Sequence, residues 1–449
     1  MGGNAVKNRH VIWTASAVVA LSLAATPALA LPAAAAHPSS TIRVGTGADG
    51  VAVSPDGRRA YVTNSLADTV SVIDTATNAA VATYDVDGYP TGVGVSPDGG
   101  RIYVSSVFAN SLSVLDATSG RVLSRTRIGD YPADLVVSPD GSRVYVANSN
   151  SENVAVFDTT TAKVVARVPL HNLTESIAVN PSGAYVYAVV TAPPSVIAVI
   201  STATNSIVTT IPIGGYASDM AVDPSGLRGY VTTSGNLGRN GAVVQLDLAT
   251  NRVVGRVPLG LQPTDIEVSP TGSTVFVANQ GSGFSGSGSR GSNGLVSAID
   301  TSSARLVGST EVTGTGAKGR FLVSLALNRS GPLGYVTLGS ARYVATFEQA
   351  SIPRTPTQPR SVTTSVSGRS VTVRWQAPAD AGAGPVTGYV VTAMPMAEGP
   401  QERFFTCQSA GTTCRLSGLT RGLSYLIQVQ ARSGQGWSPV ATGPLVAIR

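Results

Sequence analysis

Between residues 48 and 348, apolar and polar positions come in short runs. Each run is too short for a helix and each ends in a polar turn. The stretch VAVSPDGRRAYVTN at 51–64 shows the unit: an apolar strand, a Ser-Pro-Asp-Gly turn, and a second strand. The turn returns as SPDG at 54, 96 and 138, NPSG at 180, DPSG at 223, SPTG at 269 and NRSG at 328, at spacings of 42, 42, 42, 43, 46 and 59 residues. Three residues past the first turn position stands a glycine: Gly57, Gly99, Gly141, Gly183, Gly226, Gly272 and Gly331. Seven past it stands an aromatic: Tyr61, Tyr103, Tyr145, Tyr187, Tyr230, Phe276 and Tyr335. A fixed period near 42 is the mark of a repeated supersecondary unit.

The second repeat predicts four strands. Thr91 to Ser96 leads into the turn, Arg101 to Ser105 leaves it, Leu112 to Asp116 follows a polar loop, and Arg121 to Ile128 alternates as a fourth. Four strands in about 42 residues is the period of a propeller blade. Two residues before the turn the chain is mostly small (Ala52, Gly94, Val136, Ala178, Ala221, Glu267, Ala326), and it is bulkier one position earlier, which suits strands crowding on an axis. The seventh repeat stops after Tyr343–Phe347 without a fourth strand, and Thr41–Gly45 offers the missing piece. The expected fold class is therefore all-β: a seven-bladed propeller over 41–350, closed by an N-terminal strand, which removes free sheet edges.

The repeats resemble the YVTN-type β-propeller family, on Tyr61-Val-Thr-Asn64, Tyr145-Val-Ala-Asn148, Phe276-Val-Ala-Asn279 and the VIDTATN element at 72–78. The resemblance implies a fold common in secreted and surface proteins, and leaves function open because propellers host enzymes and binders alike. A Pro-rich linker at 351–358 separates the repeats from 359–449, which resembles a fibronectin type III domain. Val371–Trp375 is similar to that family's core strand, and Leu419–Tyr425 to its tyrosine corner. Cys407 and Cys414 enclose a short loop; a disulfide is expected, two free thiols being the alternative.

The N-terminus changes the setting. Lys7 and Arg9, the apolar stretch 11–25 and Ala28-Leu-Ala30 predict a secretory signal peptide over 1–30, with a second possible cut after Ala36. The apolar run is short for a membrane span, so no stable span is expected and the mature chain is read as secreted or associated with the cell wall. The net charge of +6 is uneven: residues 354–449 carry nine Arg against three acids, while 31–353 carry 20 basic and 22 acidic residues. Nucleic acid is not an expected partner of the mildly acidic larger part. Nothing in the sequence calls for a second copy, and a monomer is expected.

Candidate chemistry is sparse. The recurrent Tyr residues read as packing, and Asp74, Asp116, Asp158, Asp247 and Asp300 read as turn-bonding ends of third strands. No haem motif, nucleophile elbow, zinc motif or phosphate loop occurs, and no catalytic residue is assigned. No cofactor is expected except Ca²⁺, for which Asp134, Asp219, Asp265 and Glu267 form a possible oxygen-rich ring. His171 with Glu175 is the nearest approach to an acid–base pair. A ligand face is expected where loops between fourth and first strands (Tyr89, Tyr131, His171, Glu175, Tyr216, Arg320) meet loops after second strands (Asn64, Phe108, Asn148, Asn279). A Gly/Ser loop at 281–294 joins that side. The first functional expectation is an extracellular binding protein engaging a glycan, wall polymer or protein. The alternative is a polysaccharide-acting enzyme or accessory, including a lactonase-like propeller, or a surface-coat component.

Overall fold

The computed structural model describes residues 40–191, 194–234, 241–259, 262–280, 294–312, 322–339, 341–350, 352, 356–382, 384–396, 405–433, 436–438 and 441–448. Strand β1 is Thr41–Arg43. The first sheet follows: β2 (Ala48–Val53), β3 (Arg59–Asn64), β4 (Thr69–Asp74) and β5 (Ala79–Asp85). The second holds β6 (Pro90–Val95), β7 (Arg101–Ser106), β8 (Ser111–Asp116) and β9 (Val122–Arg127). The third holds β10 (Pro132–Val137), β11 (Arg143–Asn148), β12 (Asn153–Asp158) and β13 (Lys163–Pro169). The fourth holds β14 (Thr174–Val179), β15 (Tyr185–Val190), β16 (Val196–Ser201) and β17 (Ser206–Pro212). The fifth holds β18 (Tyr216–Val222), β19 (Arg228–Ser234), β20 (Ala242–Asp247) and β21 (Arg252–Pro258). The sixth holds β22 (Gln262–Val268), β23 (Thr274–Gln280), β24 (Leu295–Asp300) and β25 (Arg305–Glu311). Strands β26 (Leu322–Leu327), β27 (Leu333–Leu338) and β28 (Tyr343–Glu348) take β1 as their fourth, giving seven antiparallel four-stranded sheets among the described residues.

The repeated turn explains the repeated sequence. Gly57 N–H donates to Ser54 O at 2.9 Å, while Ser54 Oγ donates to Asp56 and accepts from Arg59 N–H. Proline presets the first corner, and the glycine takes φ 74°, a left-handed value that side chains resist. Each recurrent aromatic is buried between sheets; Tyr61, for example, packs with Val70, Val72, Val93, Val95 and Val104. The aspartates that end the third strands bond the next turn, as Asp74 Oδ1 accepts from Thr77 N–H at 3.0 Å. Those backbone donors hold the half-buried Asp74, Asp116, Asp158 and Asp247 carboxyls below the usual range.

The first and last sheets are joined. Ile42 pairs with Val344 and Thr41 with Ala345 in β1–β28. Thr337 Oγ1 donates to Asp49 O at 2.6 Å, and Asn328 Nδ2 donates to Gly57 O at 2.9 Å. Ile42 and Val44 share one buried cluster with Val51, Val62, Tyr335 and Val344.

Strands β29 (Arg360–Ser367), β30 (Ser370–Gln376) and β33 (Thr413–Ser417) form one sheet of the C-terminal unit. Strands β31 (Val386–Pro395), β32 (Phe405–Ser409), β34 (Ser424–Ser433), β35 (Gly436–Trp437) and β36 (Ala441–Ala447) form the other. Their shared core holds Val371, Val373, Trp375, Tyr389, Val391, Leu416, Tyr425 and Ile427. The tyrosine corner is present: Tyr425 Oη accepts from Thr420 N–H at 3.0 Å. Cys407 and Cys414 are disulfide-bonded, tying β32 of one sheet to β33 of the other with Cα atoms 6.4 Å apart. Closing a loop of this size restricts the unfolded chain by about 2.5 kcal/mol in the chain-entropy treatment. The variant C407S/C414S is therefore expected to unfold the C-terminal unit at lower denaturant by that amount, measured by Trp375 fluorescence; an unchanged midpoint would refute it.

Candidate functional site

One side of the sheets carries two sets of loops, those between outer and inner strands and those between second and third strands. Hydrogen bonds knit them across sheets. Asp68 Oδ1 accepts from Tyr89 N–H at 2.7 Å, Asn110 Oδ1 from Tyr131 N–H at 3.0 Å, and Ser151 Oγ from Asp130 N–H at 2.8 Å. Tyr89 and Tyr131 occupy left-handed backbone, φ 58° and 57°, where the first sheet uses Gly47 at 76°. Such a conformation in a bulky residue is strained by the order of 1 kcal/mol or more. Tyr89 meets Phe108 with ring centroids 4.6 Å apart, and Phe108 is 73% exposed. Tyr131 and Tyr216 are each 44% exposed. Leu66 and Leu173, which sequence reasoning passed over, add exposed apolar surface in the same loop sets.

The asparagines do not belong to this surface. Asn64, Asn148 and Asn279 are fully buried as last residues of second strands. Asn64 Nδ2 donates to Thr69 and Ser71, Asn148 Nδ2 to Asn153, and Asn279 Nδ2 to Leu295 O and Ser297. Each amide is folded beneath its loop; a Cβ at Gly129 would lie 2.4 Å from Asn148 Cγ, so the loop above needs glycine. These three side chains pin loops and cannot reach a ligand.

The expected calcium ring also resolves differently. A bulge at the start of each inner strand turns Asp134, Asp219 and Asp265 into the seams between sheets. Asp134 accepts from Leu135 N–H and Ile177 N–H at 2.8 and 3.2 Å. Asp265 accepts from Ile266 N–H and Leu325 N–H at 2.6 and 2.8 Å. Asp219 accepts from Ser176 Oγ and from Ile266 N–H at 3.0 Å. Every oxygen of the three carboxylates thus has a donor, and five of the six bonds come from backbone N–H groups. Glu267 is buried where the other inner strands have smaller residues, and its charge acts on Arg329 of the seventh sheet's turn. Among the described residues no group of three or more His, Cys, Asp or Glu could hold a metal ion.

Glu175 is different. It is the second residue of β14 and the extra, unpaired residue of the bulge, and its positional equivalents are Asp49, Thr91, Ala133, Ser218, Thr264 and Val323. Thr91 and Ser218 use their hydroxyls on carbonyls of the next sheet, Pro132 O and Pro263 O, both at 3.3 Å. Glu175 is an exposed residue, though the protein beside it takes part of the water from its carboxyl. That desolvation raises it above the usual carboxylate range. His171 lies in the loop ahead of β14, exposed, with φ 58°. No hydrogen bond or ion pair joins it to Glu175. Arg320 and nearly all of the Gly/Ser loop lie outside the described residues. No helix among the described residues is long and apolar enough to cross a membrane.

Comparison with known proteins agrees with this architecture. The family model described as "Lactonase, 7-bladed beta-propeller" matches residues 28–186, and that of the fibronectin type III domain matches 356–445. The chain is also similar to part of the Caenorhabditis elegans protein sax-3, 30% identical over 97 residues, which is 22% of this chain and 8% of that protein. Among solved structures, Kuenenia stuttgartiensis hydrazine synthase is similar with a TM-score of 0.57 at 18% identity, over 73% of this chain and 99% of that one. The Myceliophteria thermophila Cps50 (Swd1) β-propeller domain is similar with a TM-score of 0.56 at 14% identity, over 69% and 99%. The sheets and these likenesses together identify a chain in which a β-propeller domain is followed by a C-terminal fibronectin type III domain.

Proposed function

We propose that this is an exported enzyme of the lactonase-like kind, a closed seven-bladed YVTN-type propeller over 41–350 that acts on a cyclic sugar ester at the loop-bearing end of its axis. The signal peptide is removed after Ala30, and the domain from 359 to 449 serves as a spacer or wall-associating module. The observation that carries the reading is Glu175. It is a carboxyl with raised proton affinity on an inner strand, within the part of the chain that resembles a lactonase propeller. A carboxylate with raised proton affinity suits general-base work. It would take a proton from water as the water oxygen adds to the lactone carbonyl carbon. It would then return that proton to the ring oxygen as the ester C–O bond breaks, leaving a hydroxy acid. Tyr131 and Tyr216 supply ring faces for the sugar, and His171 a polar rim.

The test is hydrolysis of aldonolactones by the mature chain, followed as acid release above the spontaneous rate. Glu175→Gln is expected to lower that rate by about 10²–10⁴-fold. Activity should rise with pH through a midpoint above the ordinary Glu value of 4.5, because only the deprotonated carboxylate can act as base. A wild-type rate equal to the spontaneous one would sink the enzyme reading.

A second reading, binding of an extracellular glycan or protein without turnover, is favoured by the strained Tyr89 and Tyr131 and by the exposure of Phe108. It requires retention on a glycan array that Phe108→Ala weakens while no lactone is consumed.

A further inference from the structure

The C-terminal domain concentrates positive charge on one flat surface. In β30, Val371, Val373 and Trp375 are buried, which sends Thr372, Arg374 and Gln376 to the outer face. In β33, Cys414 and Leu416 are buried, while Thr413, Arg415 and Ser417 are exposed. On β29, Thr363 and Ser365 stand opposite Arg374 and Thr372. Thr372 pairs with Arg415 and Arg374 with Thr413, so the two arginines are diagonal neighbours about 7–8 Å apart. Arg360 pairs with Gln376 and extends the stripe onto the third strand, its Nε donating to Ala377 O at 3.1 Å. The three strands carry these three arginines and no carboxylate.

We infer that this face binds a linear anionic polysaccharide. Successive carboxylates along such a chain meet guanidinium groups, which pair with carboxylates in bidentate fashion. The sugar hydroxyls meet the rows of Ser and Thr. A single-stranded nucleic acid offers phosphates too, but its bases need aromatic rings to stack on, and the tryptophan of this sheet is turned inward. The site lies in a different domain from the propeller loops and does not depend on any reaction there.

The experiment uses the mature chain on immobilised polygalacturonate. Retention is expected at low salt and is expected to fall as salt rises. R374Q/R415Q should weaken retention about tenfold or more, the loss of two charge-assisted contacts. R421Q, in the turn ahead of β34 and off the sheet, should leave it nearly unchanged, and lactone turnover should be unaffected by any of the three. The inference is overturned if low-salt retention is absent, if R374Q/R415Q binds as well as the wild type, or if duplex DNA or neutral dextran is retained equally.

Discussion

Raising the pH from 10 to 12 is expected to unfold the propeller cooperatively. Burial pushes the phenols of Tyr61, Tyr145, Tyr187, Tyr230 and Tyr335 up to about 12, against an ordinary value of 10. All five are almost completely buried. A raised phenol pKa means the folded state keeps a proton that the unfolded chain releases. The stability tied to these protons is therefore whole below pH 10 and is lost as pH climbs towards 12. Two units correspond to roughly 3 kcal/mol per residue, so the five together reach the order of 10 kcal/mol, comparable with the whole stability of a domain. Tyrosinate absorbance and loss of β-sheet circular dichroism should appear together in one steep transition. Gradual tyrosinate formation around pH 10 with the sheets intact would contradict the packing described for these rings. Tyr230→Phe should move the transition to higher pH without other cost, because its hydroxyl has no hydrogen-bond partner among the described residues. Tyr335→Phe should cost about 1 kcal/mol at neutral pH, since Tyr335 Oη donates to Asn78 Oδ1 at 3.0 Å.

The second large effect is expected at Glu267 and Arg329. Both depart from the repeat in adjacent sheets: Glu267 stands where others have Ala, Gly or Val, and Arg329 replaces the turn proline. Arg329 is half-buried with its Nη1 shut away from water, and desolvation brings its guanidinium down to about 10, an effect that the charge of Glu267 opposes. Removing one partner leaves an uncompensated buried charge, which costs about 3–5 kcal/mol. Glu267→Ala and Arg329→Pro should each lower the propeller's denaturant midpoint accordingly. The double variant restores the residues found in the other repeats, and replacing a buried ion pair as a unit is often neutral. It should recover most of the wild-type midpoint, giving a coupling energy of several kcal/mol in a double-mutant cycle. Additive losses would show that the two side chains act independently. The pair would then give the sixth and seventh sheets no preference for each other.

The propeller repeat and the fibronectin-like domain were legible because their signals are local. Six of the seven turn glycines are demanded by left-handed backbone dihedrals within four residues, and the buried aromatics fall at a constant offset from them. Asp74 and its equivalents could be read as turn caps for the same reason. The candidate site was less legible. Asn64, Asn148 and Asn279 sit among polar loop residues, and composition cannot say whether an amide faces water or lies beneath the loop. Asp134, Asp219 and Asp265 looked like a ring of free oxygens because a bulge is invisible in strand alternation. The value of Glu175 lay in its neighbours rather than its spacing.

Sequence alone determined the number and order of strands in each repeat, the turn chemistry, the identity of the C-terminal domain and the uneven charge, since each depends on residues close together in the chain. Tertiary structure decided which polar groups are consumed in holding neighbouring sheets together and which remain at a surface. That choice rests on contacts between residues some 40 to 290 positions apart, such as Asp134 with Ile177 and Thr337 with Asp49. Hydrogen-bond demand is settled only when those distant donors arrive, because a buried carboxylate or amide must find a partner wherever the fold provides one.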